Sequence, residues 1–126
     1  MRKRGELDIV WQEWIAICSK KGRSPSLAEY YQLDREMPQY SIVQLIWGMR
    51  EYQNQTSYPH LDDFVQWLAV LDVPEDLACR AYLTGQPALI HLADELDNLL
   101  VAFFPSTETD LKIEAMRARL KRALED

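Results

Sequence analysis

The chain has 126 residues, 48% of them apolar and 27% charged, with four Trp, six Tyr and three Phe, which is enough for one domain with a core and excludes a disordered tail. The net charge of −6 is uneven: residues 1–56 carry eight basic and seven acidic side chains, residues 57–126 six and thirteen, so the second half is a poor match for nucleic acid. The longest apolar run, Leu99 to Phe104, is far too short to span a membrane.

The first residues include Arg2, Lys3 and Arg4, but no apolar stretch follows them, so no secretory signal is expected. A helix is predicted from about Glu6 to Lys21, with Leu7, Trp11, Trp14 and Cys18 on one face and Gly22 as its stop. Ser24-Pro25 has the form of a serine cap with proline in the first turn, opening a second helix to about Glu36. Leu27, Tyr30, Tyr31 and Leu33 would be its apolar side. After the turn Met37-Pro38-Gln39-Tyr40, Ser41 and Gln44 form a capping box for a third helix buried through Ile42, Leu45, Ile46 and Met49. Gly48 costs about 1 kcal/mol there relative to alanine, so it implies either a close backbone contact or a break at Trp47–Gly48.

Residues 54–60, NQTSYPH, read as a linker. A fourth helix follows from Leu61 to Leu71 and a fifth from Pro74 to Leu83, stopped by Gly85. The sixth, Pro87 to Phe104, repeats Leu89, Leu92, Leu96, Leu99 and Phe103 at steps of three and four. After Leu99 nearly every side is apolar, which is the pattern of a central helix covered by its neighbours. The seventh runs from Ser106 to about Leu124, acidic early and basic late, as the helix dipole prefers. The expected fold is all-α: a compact orthogonal bundle of about seven short helices around the central apolar helix 87–104. It forms one domain, 1–126, with an N-terminal hairpin unit, 1–56, and an acidic unit, 57–126.

Catalytic chemistry finds little support. His60 with Asp62 and Asp63, or His91 with Asp94, supplies too few ligands for a metal centre, which needs three or four. The four glycines form no phosphate loop, and Cys18 and Cys79 sit among apolar neighbours as buried free thiols suited to a reducing cytoplasm. No catalytic residue, metal or cofactor is expected.

Two features point to binding. Residues 20–52 form two short helices joined by a four-residue turn. The order Gly22-Arg23-x-Pro25-Ser26-x-x-Glu29-Tyr30, Pro38, Ser41-Ile42 and Trp47-Gly48 resembles the helix-turn-helix repeats that accompany HNH homing endonucleases. It is also similar to the GxxPTxxE opening of some winged-helix repressors. That resemblance implies that Gln39, Tyr40, Ser41 and Gln44 face bases while Lys20, Lys21, Arg23 and the Arg2-Lys3-Arg4 arm meet phosphates. Against the pattern, Ile42-Val43-Gln44-Leu45-Ile46 carries no Arg or Lys. The second feature is acidic: Asp62, Asp63, Asp72, Glu75 and Asp76 would form a face for a basic protein partner. In general character, without a shared motif, this is similar to small acidic helical proteins of phages and plasmids that block DNA-binding enzymes. The favoured function is a non-catalytic cytoplasmic interaction module acting through protein contacts. The alternatives are a helix-turn-helix DNA-binding regulator and an acidic inhibitor of a DNA-binding protein. The aromatic surplus also leaves room for a homo-oligomer.

Overall fold

A computed structural model describes residues 4–36, 39–101 and 106–125. Among them the regular structure is seven α-helices and no strand: α1 (Arg4–Lys20), α2 (Leu27–Glu36), α3 (Ile42–Gln53), α4 (Leu61–Val70), α5 (Asp76–Thr84), α6 (Pro87–Val101) and α7 (Thr107–Glu125). The chain divides into two compact units, residues 1–73 and 74–126. The division falls at Val73–Pro74 and not in the 54–60 linker, because that linker is tied down. The Tyr52 hydroxyl donates to the His60 carbonyl (3.2 Å) and accepts from its N–H (3.3 Å), and Pro59 is fully buried. α4 therefore belongs with the N-terminal helices. Counted by observed unit, the acidic and basic residues number ten and eight in the first, ten and six in the second. Much of the expected charge asymmetry disappears.

In the first unit α1 supplies Leu7, Val10, Trp14, Ile17 and Cys18, an unbroken helical stripe, to a core shared with Leu33, Leu45, Met49, Tyr52, Leu61, Phe64 and Leu68. Trp14 stands 6.2 Å from Tyr52 and 5.7 Å from Phe64, so aromatic rings of α1, α3 and α4 meet in one cluster. The capping box at Ser41 forms as predicted: Gln44 N–H donates to Ser41 Oγ (3.1 Å) and Ser41 N–H to Gln44 Oε1 (2.9 Å). α3 runs unbroken through Gly48. A Cβ there would lie 3.0 Å from Leu68 Cδ1, so the glycine serves close packing against α4.

In the second unit α6 packs against both α5 and α7. The core is Ala78, Ala81, Leu89, Ala93, Leu96 and Leu120, whose alanines let helix axes approach closely. Gly85 ends α5 at φ 70°, the left-handed value glycine takes without strain. Arg117 of α7 holds Glu75, at the N-cap of α5, through contacts of 2.9–3.1 Å. The end of α6 is not covered as expected: Leu100 and Val101 are 39% and 60% exposed, and Phe103 and Phe104 lie outside the described residues.

Candidate interaction surface

The inward face of α2 is set at its first turn by charge. Gly22, at φ 76°, terminates α1, with Gly22 N–H donating to Ser19 O (3.1 Å) and Arg23 N–H to Cys18 O (2.8 Å). Arg23 then turns inward and donates to Glu29 through both terminal guanidinium nitrogens (Nη2 to Oε1 at 2.5 Å, Nη1 to Oε2 at 3.2 Å), and Nη1 also reaches Cys18 Sγ (3.4 Å). Glu29 Oε2 accepts from Ser26 N–H (2.9 Å), so the same carboxylate caps α2. This places the cap at Ser26 and the helix start at Leu27, two residues beyond the predicted Ser24-Pro25 signal. Glu29, 7% exposed, and Leu33, one turn on, become the buried stripe.

The remaining apolar side of α2 is thereby turned out. At 100° per residue, Leu27 and Tyr31 lie about 160° round the helix from Glu29 and Leu33. They are 66% and 58% exposed, and Ala28 and Arg35 extend the same crest. Tyr30 leans toward α1, edge-on to Trp11 with ring centroids 5.4 Å apart, and its hydroxyl donates to Asp8 (3.0 Å). Its ring is also edge-on to Tyr31 at 5.5 Å. On the other flank Gln32 Nε2 donates to Glu36 (2.9 Å) and to Asp62 of α4 (2.5 Å). The result is an apolar crest, Leu27–Tyr31, bordered by Asp8 on one side and by Glu36 and Asp62 on the other.

The residues singled out for DNA do not present themselves alike. Lys20, Lys21 and Gln39 are exposed. Arg23 is taken up by Glu29, and Ser41 and Gln44 spend their side chains on each other's backbone. Tyr40 is half-buried against the core, and the Arg2-Lys3 arm lies outside the described residues. Elsewhere in this unit Arg50 of α3 pairs with Glu13 of α1 at 2.7 Å.

The five acidic residues expected on one face are divided between the units. Asp62, Asp63 and Asp72 are exposed in the first. Asp62 and Asp63 sit in the first turn of α4, where the helix dipole favours them. Glu75 is bound to Arg117 and Asp76 to Arg80 (2.8 Å) in the second. His91 Nε2 lies 2.9 Å from Glu95 Oε1, and Asp94 accepts from the Tyr82 hydroxyl (2.7 Å). Among the described residues no three His, Cys, Asp or Glu side chains gather as metal ligands. Both cysteines are free and buried. Burial pushes the Cys79 thiol up to about 12, with Asp76 and Asp97 adding to the shift, and burial raises Cys18 despite Arg23 beside it. Neither has the thiolate character of a nucleophile.

No family model, curated protein or solved structure matches this chain.

The exposed crest was missed because Leu27, Tyr30, Tyr31 and Leu33 are all apolar and the spacing admits either pair inward. The signal that decides it is Glu29, six residues after Arg23 and three after Ser26: a carboxylate matched to both a cation and a cap. No described helix is long and apolar enough to cross a membrane.

Proposed function

We propose that the protein is a non-catalytic interaction module of the cytoplasm that docks a basic protein partner on the crest of α2. The observation that carries this is the exposure of Leu27 and Tyr31 side by side between Asp8, Glu36 and Asp62. Tyrosine and apolar anchors ringed by charge are the composition of an interface core and its rim. Arg35 lies 3.9 Å from Glu36, so Asp8 and Asp62 are the rim carboxylates that favour Lys and Arg on the partner and set its orientation. A second copy docking crest against crest would bring carboxylate against carboxylate, which disfavours a symmetric dimer through this face. Buried free thiols agree with a reducing compartment.

The test is capture from native lysate by the tagged chain, with and without nuclease, using the wild type and Leu27→Ser/Tyr31→Ser. A partner that survives nuclease, weakens with salt and is lost with the double variant is the expected result. Recovery of nucleic acid alone, emptied by nuclease, sinks the proposal. It would favour the helix-turn-helix reading instead, which draws on the capped α2–α3 hairpin and the exposed Lys20 and Lys21. In that case Lys20→Glu/Lys21→Glu weakens duplex binding and flattens its salt dependence.

A further inference from the structure

The second unit carries a surface of opposite character. Residues 112–122 of α7 hold five basic side chains and one acidic one, the most basic stretch of an acidic protein. Arg117 is occupied by Glu75 and Glu114. Lys112 and Arg119 instead flank a depression of about 280 Å³ between α6 and α7, lined by Leu99, Ala115 and Met116 and almost wholly carbon on its accessible wall. Lys112, Ala115, Met116 and Arg119 follow one another at three, one and three residues, so they form a single stripe along α7. The two cations stand about 10.5 Å apart along the axis, with the apolar floor between them.

We propose that this groove binds an acidic amphipathic helix of a protein partner: apolar side chains enter between Lys112 and Arg119, and carboxylates about two turns apart meet the two cations. The depression is shallow and open, at the lower edge of the range of about 300–1,000 Å³ for small-molecule sites, so a small ligand seated there would leave much of its surface in water. It accepts one or two side chains projecting from a helix, which is the helix-in-groove mode. A phosphate backbone is matched by the cations but not by a floor of Leu99, Ala115 and Met116, and that floor is what selects an amphipathic partner. Lys112 has a competitor in Glu108, at 3.5 Å, but both side chains are more than half exposed, and such a pair gives way readily to an incoming carboxylate.

The test uses the full chain and a defined probe: an alanine-based helical peptide with two leucines placed between glutamates seven residues apart. Methyl resonances of Leu99, Ala115 and Met116 are followed by NMR during the titration. The expected result is a saturable shift of these methyls, weakened about tenfold by Lys112→Glu/Arg119→Glu. A peptide with lysines replacing the glutamates should then bind that variant better than the wild type. Both substituted side chains are exposed, so the fold is retained, which the unchanged methyl spectrum away from α7 verifies. No saturable shift up to about 1 mM peptide, or equal affinity for wild type and variant, overturns the proposal. So does a single-stranded oligonucleotide or an anionic vesicle that moves the same methyls at lower concentration than the peptide.

Discussion

At the scale of the residue, Arg23 and Glu29 show how one carboxylate can fix both a helix start and a helix face. The side chains are 15% and 10% exposed, and each is the other's main compensation for leaving water. Arg23→Ala leaves Glu29 buried beside an apolar core with only Ser26 N–H to hold it. It should cost about 3 kcal/mol in urea unfolding. Glu29→Gln keeps an acceptor for Ser26 and should cost less. A loss under about 0.5 kcal/mol for Arg23→Ala would mean the pair is solvated and does not orient α2. Both residues stood in the sequence motif, yet their pairing was not legible: an arginine after a helix stop reads as an exposed cation, and the burial of a glutamate cannot be seen from spacing. Cys79 is the opposite case, a buried thiol the sequence identifies correctly. Its folded value near 12 exceeds the ordinary 9.0, so between these pH values the unfolded chain has lost a proton that the native chain keeps. The contribution of this thiol to native stability is therefore fully present below pH 9 and falls above it, by about 1.4 kcal/mol per pH unit. Denaturant midpoints measured from pH 8 to 11 should decline, and less steeply in Cys79→Ala.

At the scale of the element, caps and stops were legible apart from Ser24-Pro25, where the cap falls two residues later at Ser26. Ser41 with Gln44, Gly22 and Gly85 end or begin helices where their chemistry requires, since each acts on backbone groups within a few residues. What local chemistry leaves open is which neighbour a face meets, and Gly48 is the instance. Alanine at 48 gains up to about 1 kcal/mol of helix propensity, but its Cβ presses on Leu68, a fully buried side chain with little room to shift. Gly48→Ala is expected to destabilise the wild type by about 1 kcal/mol net. In a Leu68→Ala background, where the obstructing Cδ1 is gone, the same substitution should turn stabilising. That reversal of sign in a double-mutant cycle identifies the α3–α4 contact as the reason for the glycine; destabilisation of equal size in both backgrounds refutes it. The crest of α2 obeys the converse logic. Leu27→Ser and Tyr31→Ser remove exposed side chains, so each should leave the unfolding midpoint within about 0.5 kcal/mol of wild type while abolishing partner capture. A marked loss of stability would show that the crest is packed and not available for docking.

At the scale of the whole molecule, the all-α class was legible because helical periodicity and caps repeat along the chain, whereas the division into units was not. Polar composition at 54–60 reads as a boundary, but Tyr52 and buried Pro59 hold that segment to α3, and the break comes at Val73–Pro74. Each unit has a buried cluster of its own, and the two are unequal. The first contains Trp14, Phe64, Tyr52, Met49 and several leucines, while the second rests on three leucines, three alanines and partly buried neighbours such as Leu92 and Met116. Apolar area buried per residue is the main favourable term in folding, so the second unit should be the less stable. The placement of the tryptophans makes this measurable in the intact protein. Trp11, Trp14, Trp47 and Trp67 all lie in residues 1–73, so indole fluorescence reports the first unit alone, whereas far-UV circular dichroism reports helices of both. In a urea titration the dichroism should begin to fall before the fluorescence changes, giving two midpoints where a two-state protein gives one. Leu96→Ala, which opens a cavity in the second core, should move the dichroism transition lower by about 2–5 kcal/mol of local stability and leave the fluorescence midpoint in place. Coincident transitions that shift together in Leu96→Ala would instead establish that both cores melt as one cooperative body.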